Sequence, residues 1–172
     1  MNEVMKCLTE RRCVRKFKAE QIKKSELDEV IRAGMFAPSG MNRQSAVMLV
    51  IQDKDVISKL SKLNAEVMGA SADPFFGAPT VIVVLADKNV RTYVEDGSLV
   101  MGNMMNAAYS LGLDSCWVHR AREVMNSEYG RELIKAAGFG EEYEGIGNLV
   151  LGYRDCDKPD VRERRDGRVA YI

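Results

Sequence analysis

Two clusters of arginine stand near opposite ends of an otherwise neutral chain. Arg11, Arg12 and Arg15 fall with Lys16 and Lys18 in one short stretch, and Arg162, Arg164 and Arg165 fall in another. A guanidinium presents paired N–H donors in a flat fork that matches phosphate or carboxylate, so one anion gathered between the clusters would give both a use. The bland alternative is two solvated charge runs, the usual fate of such segments. Across the chain 25 basic residues balance 25 acidic ones, so no global field recruits nucleic acid. Nor is there an aromatic-rich basic face on which bases would stack.

Other chemistries are poorly served. Cys7, Cys13, Cys116 and Cys156 are scattered without a C-x-x-C pair, which points to reduced thiols and a cytoplasmic setting. His119 is the only histidine and has no neighbours at ligand spacing, so no metal site is expected. No G-x-x-x-x-G-K-[ST] loop occurs, and no G-x-G-x-x-G joins a strand to a helix. Gly138-Phe139-Gly140 follows a helix and Gly145-Ile146-Gly147 opens a strand, so neither is placed to cradle a pyrophosphate. No G-x-S-x-G is present, and His119 has no nucleophile beside it.

The elements that must position the arginines follow from periodicity. At 172 residues, 46% hydrophobic and 29% charged, the chain suits one soluble domain spanning 1–172. No apolar run approaches a membrane span, and MNEVMKCLTERR lacks the apolar core of a secretory signal. Helices are expected at about Glu3–Thr9, from an N-cap at Ser25 to near Ala37, around Val56–Leu63, at Gly97–Leu111 and at Glu128–Ala137. Strands are expected at Ala46–Ile51, Thr80–Leu85, Ser115–Val118 and Ile146–Gly152. The Gly97–Leu111 helix is apolar nearly all round, which predicts burial in the core or against a second subunit. Strands separated by helices suggest, on pattern alone, a parallel sheet.

Four segments in order resemble the FMN-dependent nitroreductase family. Glu10-Arg11-Arg12-Cys13-Val14-Arg15-Lys16-Phe17 resembles its R-R-S-x-R-x-F opening, and Ala37-Pro38-Ser39-Gly40-Met41-Asn42-Arg43-Gln44 its A-P-S-x-x-N-x-Q loop. Gly102 to Val118 resembles the buried helix and G-L-x-S-C-W strand. Gly152-Tyr153-Arg154, Pro159 and Arg162-Glu163-Arg164-Arg165 resemble the final turn and basic arm. The resemblance implies an α+β fold, with a mostly antiparallel four-stranded sheet flanked by helices. It also implies a homodimer with a C-terminal arm, about 154–172, exchanged between subunits. Each of its two FMN sites would be built from both chains.

The same likeness assigns residues. Arg11, Arg12 and Cys13 would meet the phosphate and ribityl chain, and Arg162 and Arg164 would close the phosphate site. Arg15 would face the N1–C2=O edge of the flavin, where a fixed cation stabilises the charge that develops on reduction. Pro38, Ser39, Gly40 and Asn42 would come from the second subunit, and Asn64 would lie near the ring. Val118, His119 and Arg120 would bring a backbone N–H to N5. No obligatory acid or base is implied, because hydride transfer depends on stacking at contact distance. The activity implied is ping-pong transfer from NADH or NADPH to a small acceptor such as a nitroaromatic or quinone. The alternatives are flavin breakdown, reductive dehalogenation, or a flavin-binding regulator with little turnover.

The sequence departs from the family at three places. Cys13 stands for the usual serine, Ser45 for a proline that often follows the loop glutamine, and Arg154 for the proline after Gly-Tyr. The first weakens a cofactor contact, since a thiol is the poorer hydrogen-bond partner. The others affect local rigidity. The stretch Ala65–Pro79 is the main candidate for a lid.

Overall fold

Strand β2 (Thr80–Asp87) is the most buried element of the chain, with every residue from Val81 to Ala86 shut off from solvent. Its side chains alternate between two cores. Val81, Val83 and Leu85 point to one, and Ile82, Val84 and Ala86 to the other. Period-two alternation with both faces apolar requires cover on both sides, and the chain supplies it as a helix–sheet–helix sandwich. The computed structural model describes residues 2–172.

Four strands form the sheet: β1 (Ala46–Ile51), β2, β3 (Asp114–Val118) and β4 (Tyr143–Gly152), in the spatial order β1-β2-β4-β3. Every pairing is antiparallel. The parallel sheet suggested by strand–helix alternation is therefore corrected, and the antiparallel one implied by the resemblance holds. The register gives the reason. Ile51 faces Val81, so β2 starts at the end of the sheet where β1 stops. Helix α3 (Lys54–Met68), about 22 Å long, carries the chain away, and the segment 69–79 brings it back. A parallel crossover would have spent the helix on the return alone.

One face of the sheet is covered by α3, α5 (Ala121–Met125) and α6 (Glu128–Ala136), through Leu60, Val124, Met125 and Ile134. The other is covered by α2 (Lys24–Met35) and α4 (Tyr93–Ser110), through Leu27, Val30, Met101 and Met104. Helix α1 (Glu3–Glu10) rests against α4 and leaves Val4, Met5 and Leu8 exposed.

Several boundaries move, each for a local reason. Helix α2 begins at Lys24 rather than after a Ser25 cap, because the Glu26 carboxylate accepts the Lys23 backbone N–H (3.1 Å). Helix α4 begins at Tyr93, four residues before Gly97. Gly97 lies inside it, where a Cβ would stand 2.6 Å from Ile146. Helix α5 was not expected, being a single turn too short to show a period. The lid candidate Ala65–Pro79 is part helix and part tethered loop. Residues Ala65–Met68 belong to α3, and Asp73 holds the following turn by accepting from Ser61 Oγ (2.5 Å) and the N–H groups of Phe75 (2.8 Å) and Gly77 (2.7 Å). Phe75 is buried in the core, while residues 66–73 are exposed.

Candidate functional site: arginines with unused donors beside strand β3

The first basic cluster runs along the outer edge of the sheet. Val14 donates its N–H to the Ser115 carbonyl (3.2 Å), and Cys13 bridges to Ser115 in parallel fashion. Val14 and Phe17 are buried in the core, and that anchoring leaves Arg15 exposed between them. Arg11 and Arg12 are half-buried. Arg11 Nη1 and Arg12 Nη2 are buried without a hydrogen-bond partner among the described residues, and so is Ser115 Oγ. A buried charged donor left unpaired costs more than a neutral one, so two neighbouring guanidinium groups with spare donors mark an anion site. Arg12 also has a structural task. Its Nη1 donates to the carbonyls of Thr9 and Arg11, and its Nε to that of Asp160 (3.3 Å), which ties the start of the C-terminal arm to the cluster.

Cys13 is electrostatically tied to the same group. A hydrogen bond from the Cys116 thiol, aided by Arg11, outweighs burial and brings the Cys13 thiol down to about 5. The reciprocal contact pushes Cys116 up. The usual serine has no such acidity, whereas lowering of the Cys13 thiol favours a negative charge beside Arg11. In the protein stripped of ligand, alkylation of Cys13 by iodoacetamide should follow thiolate formation. Its rate should rise through about pH 5 and level off above, because only the thiolate is nucleophilic. Added FMN should slow it at pH 7, and peptide mass spectrometry reads both effects.

A second group forms where β3 ends. Asn64, fully buried on α3, donates Nδ2 to the His119 carbonyl (2.9 Å), while its Oδ1 is buried without a partner. Asn148, buried on β4, donates to the carbonyls of Val118 and His119 (3.3 Å each). Two amides from different elements thus fix the main chain of Val118–Arg120, and Arg120 turns it with φ +72°. The His119 side chain is exposed beside a cavity of about 310 Å³ lined by Trp117, Ile146, Val94 and Ser98. Asn148 escaped the sequence reading, although one amide in the apolar run of β4 was a usable signal. A larger cavity of about 500 Å³ lies between α3 and residues 71–79 and contains none of the expected site residues.

The loop Pro38–Gln44 lies elsewhere. It leads into β1, one edge of the sheet, whereas Cys13 borders β3, the other edge. Cys13, bridged to the outer side of β3, lies four strand spacings from β1, about 19 Å. One chain therefore does not bring Pro38, Ser39, Gly40 and Asn42 to Arg11 and Cys13. Arg162 and Arg164 follow Asp160, which Arg12 holds, on an arm whose residues from 161 onward are all exposed.

The departures carry their own tethers. Ser45 Oγ donates to Asp96 Oδ2 (2.7 Å), and Arg154 Nη1 pairs with Asp114 Oδ2 (3.1 Å). Arg154 also bridges to Phe17, so the arm is held to its own body at its root.

The unpaired atoms test the fit of a flavin mononucleotide. Spare guanidinium donors suit its phosphate, and a spare amide oxygen beside a fixed backbone turn suits a ring N–H. The residues present fit the group.

Comparison with known proteins gives a consistent picture. The chain is 28% identical over 185 residues to an FMN reductase [NAD(P)H] of Bacillus subtilis, covering 92% of this chain and 70% of that one. It is 31% identical over 173 residues to a protein of Archaeoglobus fulgidus provisionally described as an NADH dehydrogenase/NAD(P)H nitroreductase, covering 96% and 93%. Among solved structures, a nitroreductase with bound FMN from Bacteroides fragilis superposes with a TM-score of 0.91 at 23% identity over 100% of both chains. Another with bound FMN, from Desulfitobacterium hafniense, gives 0.89 at 26% identity over 100% and 99%. The model of the Nitroreductase family matches residues 8–153, and the chain belongs to that family.

Proposed function

We propose that this protein is an FMN-dependent oxidoreductase that draws electrons from NADH or NADPH and delivers them to a small acceptor. The observation that carries this reading is the set of buried, unpartnered polar atoms on Arg11, Arg12 and Asn64. The family resemblance assigns Arg11 and Arg12 to the cofactor by motif and Asn64 by its place near the ring. FMN held there would supply the two-electron chemistry that links the nicotinamide to the acceptor in ping-pong order.

The chain's own residues bind, orient and stabilise. Arg11 and the free arm of Arg12 hold the phosphate from one side, and Arg162 and Arg164 of a second copy's arm, or of the same chain's, close the other. Arg15, exposed and in no ion pair among the described residues, would face the pyrimidine edge of the ring, where negative charge gathers on reduction. Asn64 Oδ1 accepts from the ring, and the turn at Val118–Arg120 offers a backbone N–H whose position Asn64 and Asn148 fix. The loop Pro38–Asn42 of a partner subunit covers one flavin face. No dedicated acid or base is assigned, because hydride transfer depends on stacking at contact distance. The permissive alternatives, flavin breakdown or dehalogenation, would use the same binding residues.

The test is a visible spectrum. The purified protein should show flavin absorbance, or acquire it when FMN is added, and should bleach anaerobically with NADH or NADPH. A colourless protein that takes up no FMN refutes the reading, and binding without bleaching leaves a flavin-binding regulator. Arg15→Ala should keep FMN and fold normally but slow the anaerobic bleaching about 10- to 100-fold, in line with losing one fixed charge at a developing anion. Stopped-flow absorbance at the flavin band measures it, and an unchanged rate removes Arg15 from that role.

A further inference from the structure

Asp96 is a carboxylate at 2% exposure in the first turn of α4, on the side of the helix that faces the segment 39–45. It accepts the Gly40 N–H on Oδ1 (2.9 Å) and the Ser45 hydroxyl (2.7 Å) and Thr92 hydroxyl (3.2 Å) on Oδ2. One carboxylate thus grips the beginning and the end of a single loop, from 56 and 51 residues away in sequence. No ion pair to Asp96 occurs among the described residues, so its charge is stabilised by neutral donors alone. Burial works against that charge, yet the Ser45, Gly40 and Thr92 hydrogen bonds prevail and hold the carboxyl below its ordinary range.

The loop needs the grip. Met41 (φ +54°), Asn42 (φ +54°) and Gln44 (φ +50°) all adopt the left-handed conformation, which is costly for residues with a Cβ and persists only where surroundings enforce it. Inside the loop, Asn42 donates to the Ser39 carbonyl (3.0 Å), Arg43 to the Gly40 carbonyl (3.1 Å) and Gln44 N–H to Ser39 Oγ (3.0 Å). These bonds shape the turn but do not attach it to the body. Attachment comes through Asp96, through the Asp87 N–H donated to the Ser45 carbonyl (3.0 Å), and through the close seat of Gly40 on Thr92, where a Cβ would lie 2.3 Å from Oγ1. Met41 and Asn42, the residues displayed at the tip, are exposed.

We infer that Asp96 is a positioning residue, which presets the strained loop Ser39–Ser45 in the shape that closes over a flavin bound by a partner subunit. The inference rests on the reading that this loop contributes to a flavin site. Asp96 itself touches no cofactor. Its effect is to remove in advance the conformational freedom the loop would otherwise lose on binding, so its loss should appear as faster cofactor release.

The experiment compares Asp96→Ala, Ser45→Ala and Ser45→Thr in the full chain, by two readouts. The first is trypsin cleavage after Arg43 in the FMN-free protein, which reports loop freedom whether or not flavin binds. The second is the FMN dissociation rate, followed by recovery of flavin fluorescence. Ser45→Ala, which removes the side-chain tie at one end and leaves the carboxylate two partners, is the informative variant if Asp96→Ala fails to fold. Expected are about 10-fold faster cleavage and about 10-fold faster FMN release in Ser45→Ala, at an apo melting temperature close to the parent's, with larger changes in Asp96→Ala. Ser45→Thr, which keeps the hydroxyl, should stay near the parent in both. Unchanged cleavage in the folded variants overturns the grip. Faster cleavage with unchanged FMN release overturns the positioning role, as does a Ser45→Thr variant as loose as Ser45→Ala. If the parent itself takes up no FMN, the underlying functional reading falls, and the positioning role with it, while cleavage after Arg43 still reports on the Asp96 grip alone.

Discussion

Arg11→Ala is expected to yield a colourless protein that binds FMN on the order of 100-fold more weakly than the parent. The estimate follows from losing a two-pronged, charge-assisted contact worth about 3 kcal/mol net, at tenfold per 1.4 kcal/mol. The same substitution should not weaken the ligand-free fold. Arg11 Nη1 is buried without a partner, so the empty protein carries a desolvation cost that alanine removes. The melting temperature of apo Arg11→Ala should therefore match or exceed that of apo parent, while the rise on adding FMN should largely disappear. Fluorescence-quenching titration and thermal denaturation with and without FMN measure the two halves. A variant that unfolds when empty but binds FMN normally when folded would make Arg11 a structural residue and sink its cofactor role. The substitution also removes a cation beside Cys13, so the onset of Cys13 alkylation should move to higher pH.

Deleting residues 161–172 is expected to convert the protein to a monomer and to abolish stable FMN binding while leaving the body folded. Every residue of that segment is exposed, including the apolar Val161, Val169, Tyr171 and Ile172. The body therefore loses no buried contact, and its melting transition should hardly move in monomeric form. The upstream anchors remain, since Arg154–Asp114 (3.1 Å) and Lys158–Glu10 (3.3 Å) lie before the cut. What goes is an extended strip of apolar and cationic side chains with no partner of its own, the composition expected of a segment that packs on another copy. Sedimentation or light scattering gives the mass, and absorbance gives the flavin. Full-length Arg162→Ala/Arg164→Ala separates the two losses, because it should stay dimeric and still bind FMN more than tenfold more weakly. A truncated chain that remains a yellow dimer would refute the exchanged arm.

Local features were legible and long-range ones were not. The run TVIVVL announces β2 because β-branched residues in succession suit a strand covered on both faces, and the structure buries it as expected. Strand direction was not legible from pattern, since an intervening helix does not reveal whether the chain also travels back. Only the family motifs carried the antiparallel order. Helix α5 gave no period to read, and Ser25 looked like a cap because capping is judged from side-chain type, whereas here Glu26 reaches back to Lys23. At the site, the arginines were marked by residue type and spacing, and the Pro38–Asn42 loop by the family resemblance. The roles of Asp96, Ser45 and Asn148 were not, because the partners that define them lie 29 to 56 residues away and an isolated polar residue does not name what it binds.

By itself, then, the sequence determined which chemical groups are available and which short segments alternate, because residue type and periodicity are properties of neighbours along the chain. The tertiary structure alone decided which donors of Arg11, Arg12 and Asn64 are left unpaired, and that the Asp96 carboxylate spans both ends of one loop. Hydrogen bonding and desolvation depend on distances through space, and those are set only once the sheet has brought remote residues together.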